Sequence, residues 1–349
     1  MRLTIMASSL SRITAMGGKR QMMLNRFRFK STLQVSNNTE YKTIKKPHAV
    51  TKHLVTPQLQ LGEDHVHIIQ PPYAQTGQLP FRLFGNSPSL ALHSRETVSR
   101  LRTAGELAAK VLKEACDAAK PGMTTDELDQ LVHHTLLQHG AYPSPLNYQG
   151  FSKSVCSSVN EVVCHGIPDL RPLLPGDVLS LDVSCFLGGV HGDNCATVIV
   201  GDPSEYPEEQ DLVDATKEAL QAAIEACNRP NACLSHIGAA IEHVADSRGY
   251  STVREYRGHG IGETFHCPPF VKHYANNDKM ALVPGLVFTI EPMLVASPSP
   301  EVIEWTSDGW TVATAGGAVA AQFEHMVHVT PNGVEVLTDN PELNPSGLV

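Results

Sequence analysis

An internal repeat constrains the fold of this chain more than any other feature of its sequence. Six pairs of identical or chemically similar residues recur at a constant spacing of 109 positions. The pairs are Pro121 and Pro230, Gly140 and Gly249, Pro175 and Pro284, Gly176 and Gly285, Val178 and Val287, and Asp182 and Glu291. Pro and Gly are common enough that one such pair could match by chance. Six pairs at the same spacing are harder to explain in that way. The repeat therefore predicts two related α+β halves, with metal-ligating side chains converging between them.

Hydrophobic periodicity predicts two helices in each half. Apolar residues follow helical spacing from residue 98 to residue 112, and the pattern stops before Pro121. Thr124 is expected to cap a second helix, with Glu127 reaching back to it, and Gly140 to end it. The second helix pair is predicted over residues 207–226 and 234–248. Strands are predicted over residues 154–164, 178–186, 196–200, 253–256, 286–290 and 324–329.

Four carboxylates and one imidazole, each in a distinctive short string, form a candidate metal-ligand set. They are Asp182 in LSLDVS, Asp193 in HGDN, His259 in GHGIG, Glu291 in FTIEPM and Glu324 in QFEHM. These ligand types suit Mn, Fe, Co or Zn better than a thiolate site does, and they carry more negative charge than one divalent ion needs. Two carboxylate-bridged ions about 3.5–4 Å apart are typical of metal-dependent aminopeptidases and phosphatases. The set predicts a dinuclear metallohydrolase.

The first two carboxylates flank a predicted hairpin turn. Asp182 and Asp193 lie on either side of the Leu-Gly-Gly stretch at residues 187–189. Pairing centred between residues 187 and 188 would set the two Asp residues directly opposite, with Cβ atoms about 5 Å apart. Like charges at that distance repel each other, which favours a shared cation. The alternative, two solvated Asp residues on an exposed strand pair, leaves apolar neighbours such as Val183 unexplained.

The N-terminal 39 residues differ in composition from the rest of the chain. They contain seven basic residues and no acidic residue before Glu40, with recurring Ser and Thr. That composition is typical of a mitochondrial transit peptide, less so of a plastid one, and a disordered basic tail is the alternative. Removing these seven charges changes the formal net charge from −9 to −16. Because the remaining residues carry so much negative charge, a nucleic-acid partner is not expected. We expect residence in the mitochondrial matrix, with plastid or cytosol less favoured.

A proline-containing stretch separates this leader from the periodic part of the chain. Residues 40–92 show little periodicity and contain six prolines, which predicts an extended arm lying on a catalytic domain of residues 93–349. A recruitment motif is the alternative, but no PxxP with a basic flank occurs. No run of about 18 apolar residues is present, so no membrane partner is expected. The eight cysteines include no C-x-x-C pair, which fits a reducing compartment.

Five strings of this sequence resemble the signature strings of the type I methionine aminopeptidases. They are SVNEVVCHGIPD, LDVSCFLGGVHGDN, REYRGHGIGETFHCPP, VFTIEPM and AQFEHMVHVT. The resemblance runs from about Ser94 to Leu337, and the basic leader makes the chain similar to the mitochondrial form. It implies the α/β pita-bread fold, whose pseudo-twofold internal duplication agrees with the repeat.

The resemblance also implies a role for each candidate ligand. Asp182 would chelate one of two divalent ions (Co, Mn, Fe or Zn), and Asp193 and Glu324 would bridge both. His259 and Glu291 would hold the second ion. Glu291 would also take a proton from the shared water and pass it to the leaving amine.

Further residues would contact the substrate if the resemblance holds. His266 matches a histidine near the scissile carbonyl, and His165 matches one near the backbone of the second substrate residue. Both are therefore expected to be catalytic. A narrow apolar pocket for the methionine side chain is expected from Tyr148, Phe151, Cys156, Phe265 and Trp310. Ordinary core packing is the alternative for each of these five residues.

The implied activity is removal of the initiator methionine from nascent or imported proteins with a small second residue. Partners would be N-terminal methionyl peptides and proteins, with transient proximity to a ribosome. An Xaa-Pro aminopeptidase-like enzyme is one alternative, but residues 40–92 are too few for its additional domain. A metal-free binding protein on the same fold is another, although such proteins lose ligands and gain basic tracts. Departures from the family pattern fall at Pro145, Phe151, Phe323 and residues 194–196, and none removes a ligand.

Overall fold

Two pairs of α-helices form the helical layers of the protein. The computed structural model describes residues 40–65, 67–79 and 90–339, so the expected transit peptide at residues 1–39 lies outside the described residues. The four α-helices of the described part are α1 (Arg95–Ala118), α2 (Thr125–Gln138), α3 (Pro207–Cys227) and α4 (Leu234–Arg248). Their bounds confirm both predicted pairs. No helix in the described ranges is long and apolar enough to cross a membrane.

The predicted cap of α2 is confirmed. The Thr124 hydroxyl accepts a hydrogen bond from the Glu127 backbone N–H at 3.2 Å, and the Glu127 carboxylate accepts one from the Thr124 N–H at 2.7 Å. Two backbone donors at the helix start are thereby satisfied. α1 begins in a similar way, because the Ser94 hydroxyl accepts from the Thr97 N–H at 3.2 Å.

The strands of the described residues range from two to ten residues in length. They are β1 (Tyr142–Pro143), β2 (Cys156–Val159), β3 (Val162–Cys164), β4 (Val178–Leu187), β5 (Val190–Ile199), β6 (Ser251–Thr252), β7 (Gly258–Gly260), β8 (Cys267–Val271), β9 (Val287–Ile290), β10 (Met293–Val295), β11 (Val302–Glu304), β12 (Val312–Thr314), β13 (Ala320–Gln322), β14 (His325–Thr330) and β15 (Gly333–Val336). One sheet has the order β1-β4-β2, with β5 also pairing with β4, and the largest has the order β15-β14-β9-β7-β8. Two three-stranded sheets, β13-β10-β6 and β11-β12-β3, complete the mixed architecture.

The sequence repeat corresponds to a repeat in structure. Gly140 and Gly249, which follow α2 and α4, have φ angles of 73° and 77°. Gly176 and Gly285, which precede β4 and β9, have φ angles of 80° and 94°. Backbone in this left-handed region favours glycine, so the repeat preserves two turns in each half. Asp182 lies on β4 and Glu291 directly follows β9, as expected for equivalent positions.

Two large hydrophobic cores pack the helix pairs against the sheets. One core joins α1 and α2 to β4 through residues such as Leu112, Leu128 and Leu181. The second joins α3 and α4 to β9 through residues such as Leu220 and Phe288. Burying one such side chain contributes about 1.5–3 kcal/mol, so packing, rather than helix propensity, holds the two layers together.

Two predictions about strands need correction. The single strand predicted over residues 154–164 is two strands, β2 and β3, because Asn160 turns the chain with a φ of 55°. The strand predicted over residues 253–256 is wrong. There the chain bends towards the surface, where the Arg254 guanidinium pairs with Glu242 at 2.7 Å instead of extending a sheet.

The predicted register of the β4–β5 hairpin is also wrong. Leu187 pairs with Val190, so the turn consists of Gly188 and Gly189 with φ angles of 59° and 83°. A two-residue turn of this kind requires positive φ at both central positions, which two glycines provide and Leu187 does not. Asp182 therefore lies opposite Cys195, and Asp193 is its diagonal neighbour on the same face of the hairpin.

Residues 40–79, which we call the N-terminal segment, begin as an extended chain along the second half. The Lys42 N–H donates to the Gly249 carbonyl at 2.8 Å. The Ile44 N–H donates to the Ala296 carbonyl at 3.3 Å, and the Ile44 carbonyl accepts from the Val319 N–H at 3.0 Å. Backbone hydrogen bonds of this kind fix the path of the segment regardless of its side chains.

A cluster of charged groups fastens the same stretch to α3. The Asp211 carboxylate accepts hydrogen bonds from Lys42 Nζ at 2.5 Å, Tyr250 Oη at 2.5 Å and Arg248 Nη2 at 2.9 Å. Partial burial alone would raise the pKa of Asp211, but the three donors outweigh it and lower that pKa to about 2. The ionised carboxylate is therefore stabilised in the folded protein.

We expect Asp211→Asn to destabilise the protein by about 1–2 kcal/mol at pH 7, because charge-assisted hydrogen bonds at a partly exposed site are lost. Since folding lowers the pKa of Asp211, its contribution is present above about pH 4 and is lost as the pH falls to about 2. Urea unfolding should show the gap between wild type and variant closing over that range. Asp214→Asn, an exposed change on the same helix, is the control. A gap that persists at pH 2 would contradict this account.

Candidate metal centre

Three candidate ligands lie together in the interior, where the two halves meet. Side-chain atoms of Asp193, His259 and Glu324 lie within 4.8 Å of one another, and all three residues are buried. β5 carries Asp193, β7 carries His259, and Glu324 separates β13 from β14. Backbone hydrogen bonds between Cys195 and Glu324, 2.9 Å for the Glu324 N–H, fix the last of these beside β5. A three-ligand cluster of this composition could hold a divalent cation.

Glu291 adjoins this cluster. His259 Nε2 lies 3.5 Å from Asp193 Oδ2 and 3.8 Å from Glu291 Oε1. The Thr289 hydroxyl donates to Glu291 Oε1 at 3.0 Å and accepts from the His259 backbone N–H at 2.9 Å. Gln322 Nε2 lies 3.5 Å from Glu291 Oε2. One threonine therefore sets the relative positions of an imidazole and a carboxylate.

Asp182 completes the set as a half-buried residue. Its nearest hydrogen-bond donor is the Ser184 hydroxyl at 3.4 Å. Burial raises the pKa of Asp182, Glu291 and Glu324 well above the usual values, and the negative charge of Asp193 raises all three further. In the absence of a cation, the site therefore favours protonated carboxyl groups.

Two buried oxygens in the cluster lack hydrogen-bond donors. Within the described ranges, Asp193 Oδ1 and Glu324 Oε1 have no partner, although both residues are almost completely buried. A buried carboxylate oxygen without a donor is costly. Divalent cations satisfy such oxygens directly, so the residues present fit a metal ion.

His266 and His165 lie beside this cluster. The His266 ring centre is 4.2 Å from that of His259, and its Nδ1 lies 2.8 Å from the Tyr148 hydroxyl. Its ring also packs against those of Tyr148 and Phe265, with ring centres 5.1 and 4.2 Å away. His165 has a φ of 56° and packs edge-on against Trp310 at 6.3 Å between ring centres. Burial lowers the pKa of His165 to about 4, which keeps its imidazole neutral at pH 7.

The expected pocket residues fall into groups that adjoin the cluster. Tyr148 and Phe265 pack edge to face at 5.2 Å, next to His266. Phe151 and Trp310 do the same at 5.2 Å, next to His165. The last of the five, Cys156, lies opposite Asp182 in the β2–β4 ladder. Two aromatic pairs therefore lie next to the two histidines, and one thiol lies next to Asp182.

Several residues at the site were not among the sequence predictions. Thr289 precedes Glu291 by two positions, and this spacing on a strand was the only available signal. His273 Nε2 accepts from the Glu291 backbone N–H at 3.2 Å. His191 stacks on Phe265 at 4.7 Å. The partners of His273 and His191 lie far away in sequence, so local patterns could not reveal these two residues.

The metallopeptidase family M24 matches residues 99–331 of the chain. A protein named methionine aminopeptidase 1D, chloroplastic/mitochondrial, from Arabidopsis thaliana is 45% identical over 273 residues, which cover 78% of this chain and 75% of that protein. The mitochondrial methionine aminopeptidase 1D of Dictyostelium discoideum is 44% identical, over 78% of this chain and 66% of that protein. Membership of this metallopeptidase family supports the assignment of the cluster to divalent metal ions.

The fold of this chain is similar to those of solved structures. A crystal structure of methionine aminopeptidase from Rickettsia prowazekii is 41% identical, with a TM-score of 0.69, and the match covers 72% of this chain and all (100%) of that one. A prolidase from Pyrococcus furiosus is 19% identical, with a TM-score of 0.56, over 71% of this chain and 65% of that one. The prolidase shares the fold alone. The predicted pita-bread fold is therefore confirmed.

We expect the metal-free protein to lose stability as the pH rises above about 4. Folding raises the pKa of three carboxyl groups, so the folded state binds more protons than the unfolded chain above about pH 4, and stability falls as those protons leave. A cation replaces the protons, so the gain in Tm on adding Mn²⁺ after chelator treatment should grow with pH. Glu324→Gln removes one of these carboxyl groups and should flatten the dependence. A gain in Tm that shrinks with rising pH would refute this reasoning.

Proposed function

We propose that this chain, which belongs to metallopeptidase family M24, is a methionine aminopeptidase that removes the initiator methionine from proteins with a small second residue. The observation that carries this proposal is the buried carboxylate–histidine cluster, found in a chain more than 40% identical to proteins named methionine aminopeptidase. The Xaa-Pro aminopeptidase alternative is not favoured, since the prolidase shares only the fold.

The cluster is proposed to hold two ions. Asp182 would bind one, His259 and Glu291 the other, and Asp193 with Glu324 would bind both. Asp193 and Glu324, the two proposed bridging residues, are also the ones whose second oxygen lacks a donor. Four carboxylates carry enough negative charge to balance two divalent ions. The donor set suits Co, Mn, Fe or Zn, so availability would decide which is used.

Bound divalent ions lower the pKa of a coordinated water towards neutrality and so supply a nucleophile at physiological pH. Glu291 would accept the proton of that water and pass it to the leaving amine. The Tyr148 hydroxyl engages His266 Nδ1, which leaves Nε2 of that ring for the scissile carbonyl. His165, neutral at pH 7, would contact the backbone near the second substrate residue.

The aromatic groups beside the cluster would form the methionine pocket. Tyr148 with Phe265, and Phe151 with Trp310, present ring edges, and Cys156 adds a polarisable thiol. An unbranched thioether fits such a surface better than a β-branched or charged side chain does. These residues would therefore select methionine in the first substrate position.

The cellular setting is part of the proposal. Relatives named as mitochondrial and a basic leader both support a mitochondrial enzyme, and we place it in the matrix. Residues 1–39 would be the transit peptide, residues 40–92 an arm and residues 93–349 the pita-bread catalytic domain. N-terminal methionyl peptides and proteins would be its substrates, and transient proximity to the ribosome would supply newly made chains.

The full chain should release methionine from Met-Ala-Ser faster than it releases the first residue of Leu-Ala-Ser or Met-Lys-Ser. A chelator should stop the reaction, and Mn²⁺ or Co²⁺ should restore it. We expect a preference of about 10–200-fold for Met-Ala-Ser over either peptide, because one mismatched pocket contact costs about 1–3 kcal/mol. Absence of cleavage with Mn, Co, Fe and Zn would favour the metal-free binding protein instead.

Asp193→Asn should reduce turnover by at least about 10³-fold and lower the bound metal, since a neutral amide bridges two cations poorly. Metal analysis after dialysis and kcat on Met-Ala-Ser check both parts. Asp202→Asn, an exposed substitution at the start of a surface turn, is the matched control and should change neither. An Asp193→Asn variant with full activity would eliminate the two-ion proposal.

A further inference from the structure

Tyr73 belongs to the N-terminal segment, yet its ring lies beside the candidate active site. It is 3% exposed, and its hydroxyl donates to the Ser144 carbonyl at 2.6 Å. A buried ring anchored at its polar end has essentially one orientation. Tyr73 therefore presents fixed surfaces to the groups around it.

One of those surfaces forms part of a three-ring stack that leads to the site. The Tyr73 and His191 ring centres are 6.3 Å apart with an interplanar angle of 12°, and those of His191 and Phe265 are 4.7 Å apart with an angle of 8°. The Ser144 hydroxyl lies 2.8 Å from His191 Nδ1, so the same residue holds two members of the stack. Phe265 directly precedes His266 in sequence. The stack therefore restrains the backbone and ring next to His266.

A second contact of Tyr73 leads to the same histidine. Its ring meets that of Tyr148 edge to face, with centres 5.0 Å apart and an interplanar angle of 86°. The Tyr148 hydroxyl is the group that lies 2.8 Å from His266 Nδ1. Removing the Tyr73 ring would free Tyr148 to tilt, and the hydrogen bond to His266 would lose its fixed direction.

We infer that Tyr73 is a positioning residue for His266, acting through Tyr148 and through the ring stack. Its importance for turnover rests on the proposed function, in which His266 contacts the scissile carbonyl. The N-terminal segment then has a catalytic consequence, since it supplies one of the rings on which the site is built. Misplacement of a substrate-contacting group by about 1 Å can cost about 100-fold in rate.

The kinetic test uses the full chain with Mn²⁺ and Met-Ala-Ser. Tyr73→Leu should lower kcat about 10–100-fold with a smaller change in KM and unchanged bound metal. Tyr73→Phe keeps the ring and should stay within about threefold of wild type. Ile44→Ala is the control, because Ile44 anchors the same segment to the second core, away from the ring stack. Tyr73→Met, whose flexible side chain adapts to irregular gaps, replaces Tyr73→Leu if that variant does not fold.

A double-mutant cycle distinguishes positioning from a general loss of structure. In a His266→Ala background, Tyr73→Leu should lower kcat by less than about threefold, because the group it positions is gone. An equally large loss of kcat in both backgrounds would overturn the inference.

Imidazole nitrogen NMR decides the inference independently of the proposed function. The signals of His266, identified by their loss in His266→Ala, should shift or broaden in Tyr73→Leu and stay unchanged in Ile44→Ala. Unchanged His266 signals in Tyr73→Leu would overturn the inference whether or not the protein cleaves methionine. If the wild-type chain releases no methionine while the His266 signals still shift in Tyr73→Leu, the proposed function alone is refuted.

Discussion

Repulsion among four converging carboxyl groups is the constraint on which the rest of this structure depends. Removing such groups from water is costly, and each raises the free energy of ionising the others. Only protons or cations offset that cost, so the protein must hold the groups together rigidly enough that cations are preferred. The β4–β5 hairpin, the backbone bridge between Cys195 and Glu324, and the Thr289 hydroxyl all provide that rigidity. Cys195, Thr289 and Glu324 are all buried, and close packing of the protein interior resists relaxation.

The sequence allowed prediction of the fold class and of the residues that gather at the site, because both depend on local signals. Each candidate ligand lies in its own short string, and the glycines of the repeat mark turns that require positive φ. The hairpin register could not be obtained in this way, since it depends on whether the turn uses one glycine or both. Tyr73 and His191 were not predicted, because stacking between rings far apart in sequence leaves no local pattern.

The departures from the family pattern acquire a physical meaning in the structure. Asn194 is adjacent to Asp193 on β5, and neighbouring strand residues point to opposite faces. Its side chain is 1% exposed, and neither of its polar atoms finds a partner among the described residues. An unpaired buried amide costs about 1–3 kcal/mol, which lowers stability on the face that packs against α1. Phe323 packs against both cores, where a tyrosine hydroxyl would need a partner of its own.

A buried ion pair connects the N-terminal segment to the stretch of chain between Phe151 and Cys156. Lys153 lies between Phe151 and Cys156 in sequence and is 1% exposed. Its Nζ atom donates to Asp126 Oδ1 at 2.5 Å and to the Thr56 hydroxyl of the N-terminal segment at 2.8 Å. Breaking a buried pair by removing one partner leaves an uncompensated charge and typically costs about 3–5 kcal/mol. The stretch from Phe151 to Cys156 is therefore held by charge as well as by packing, and a segment distant in sequence contributes one of its contacts.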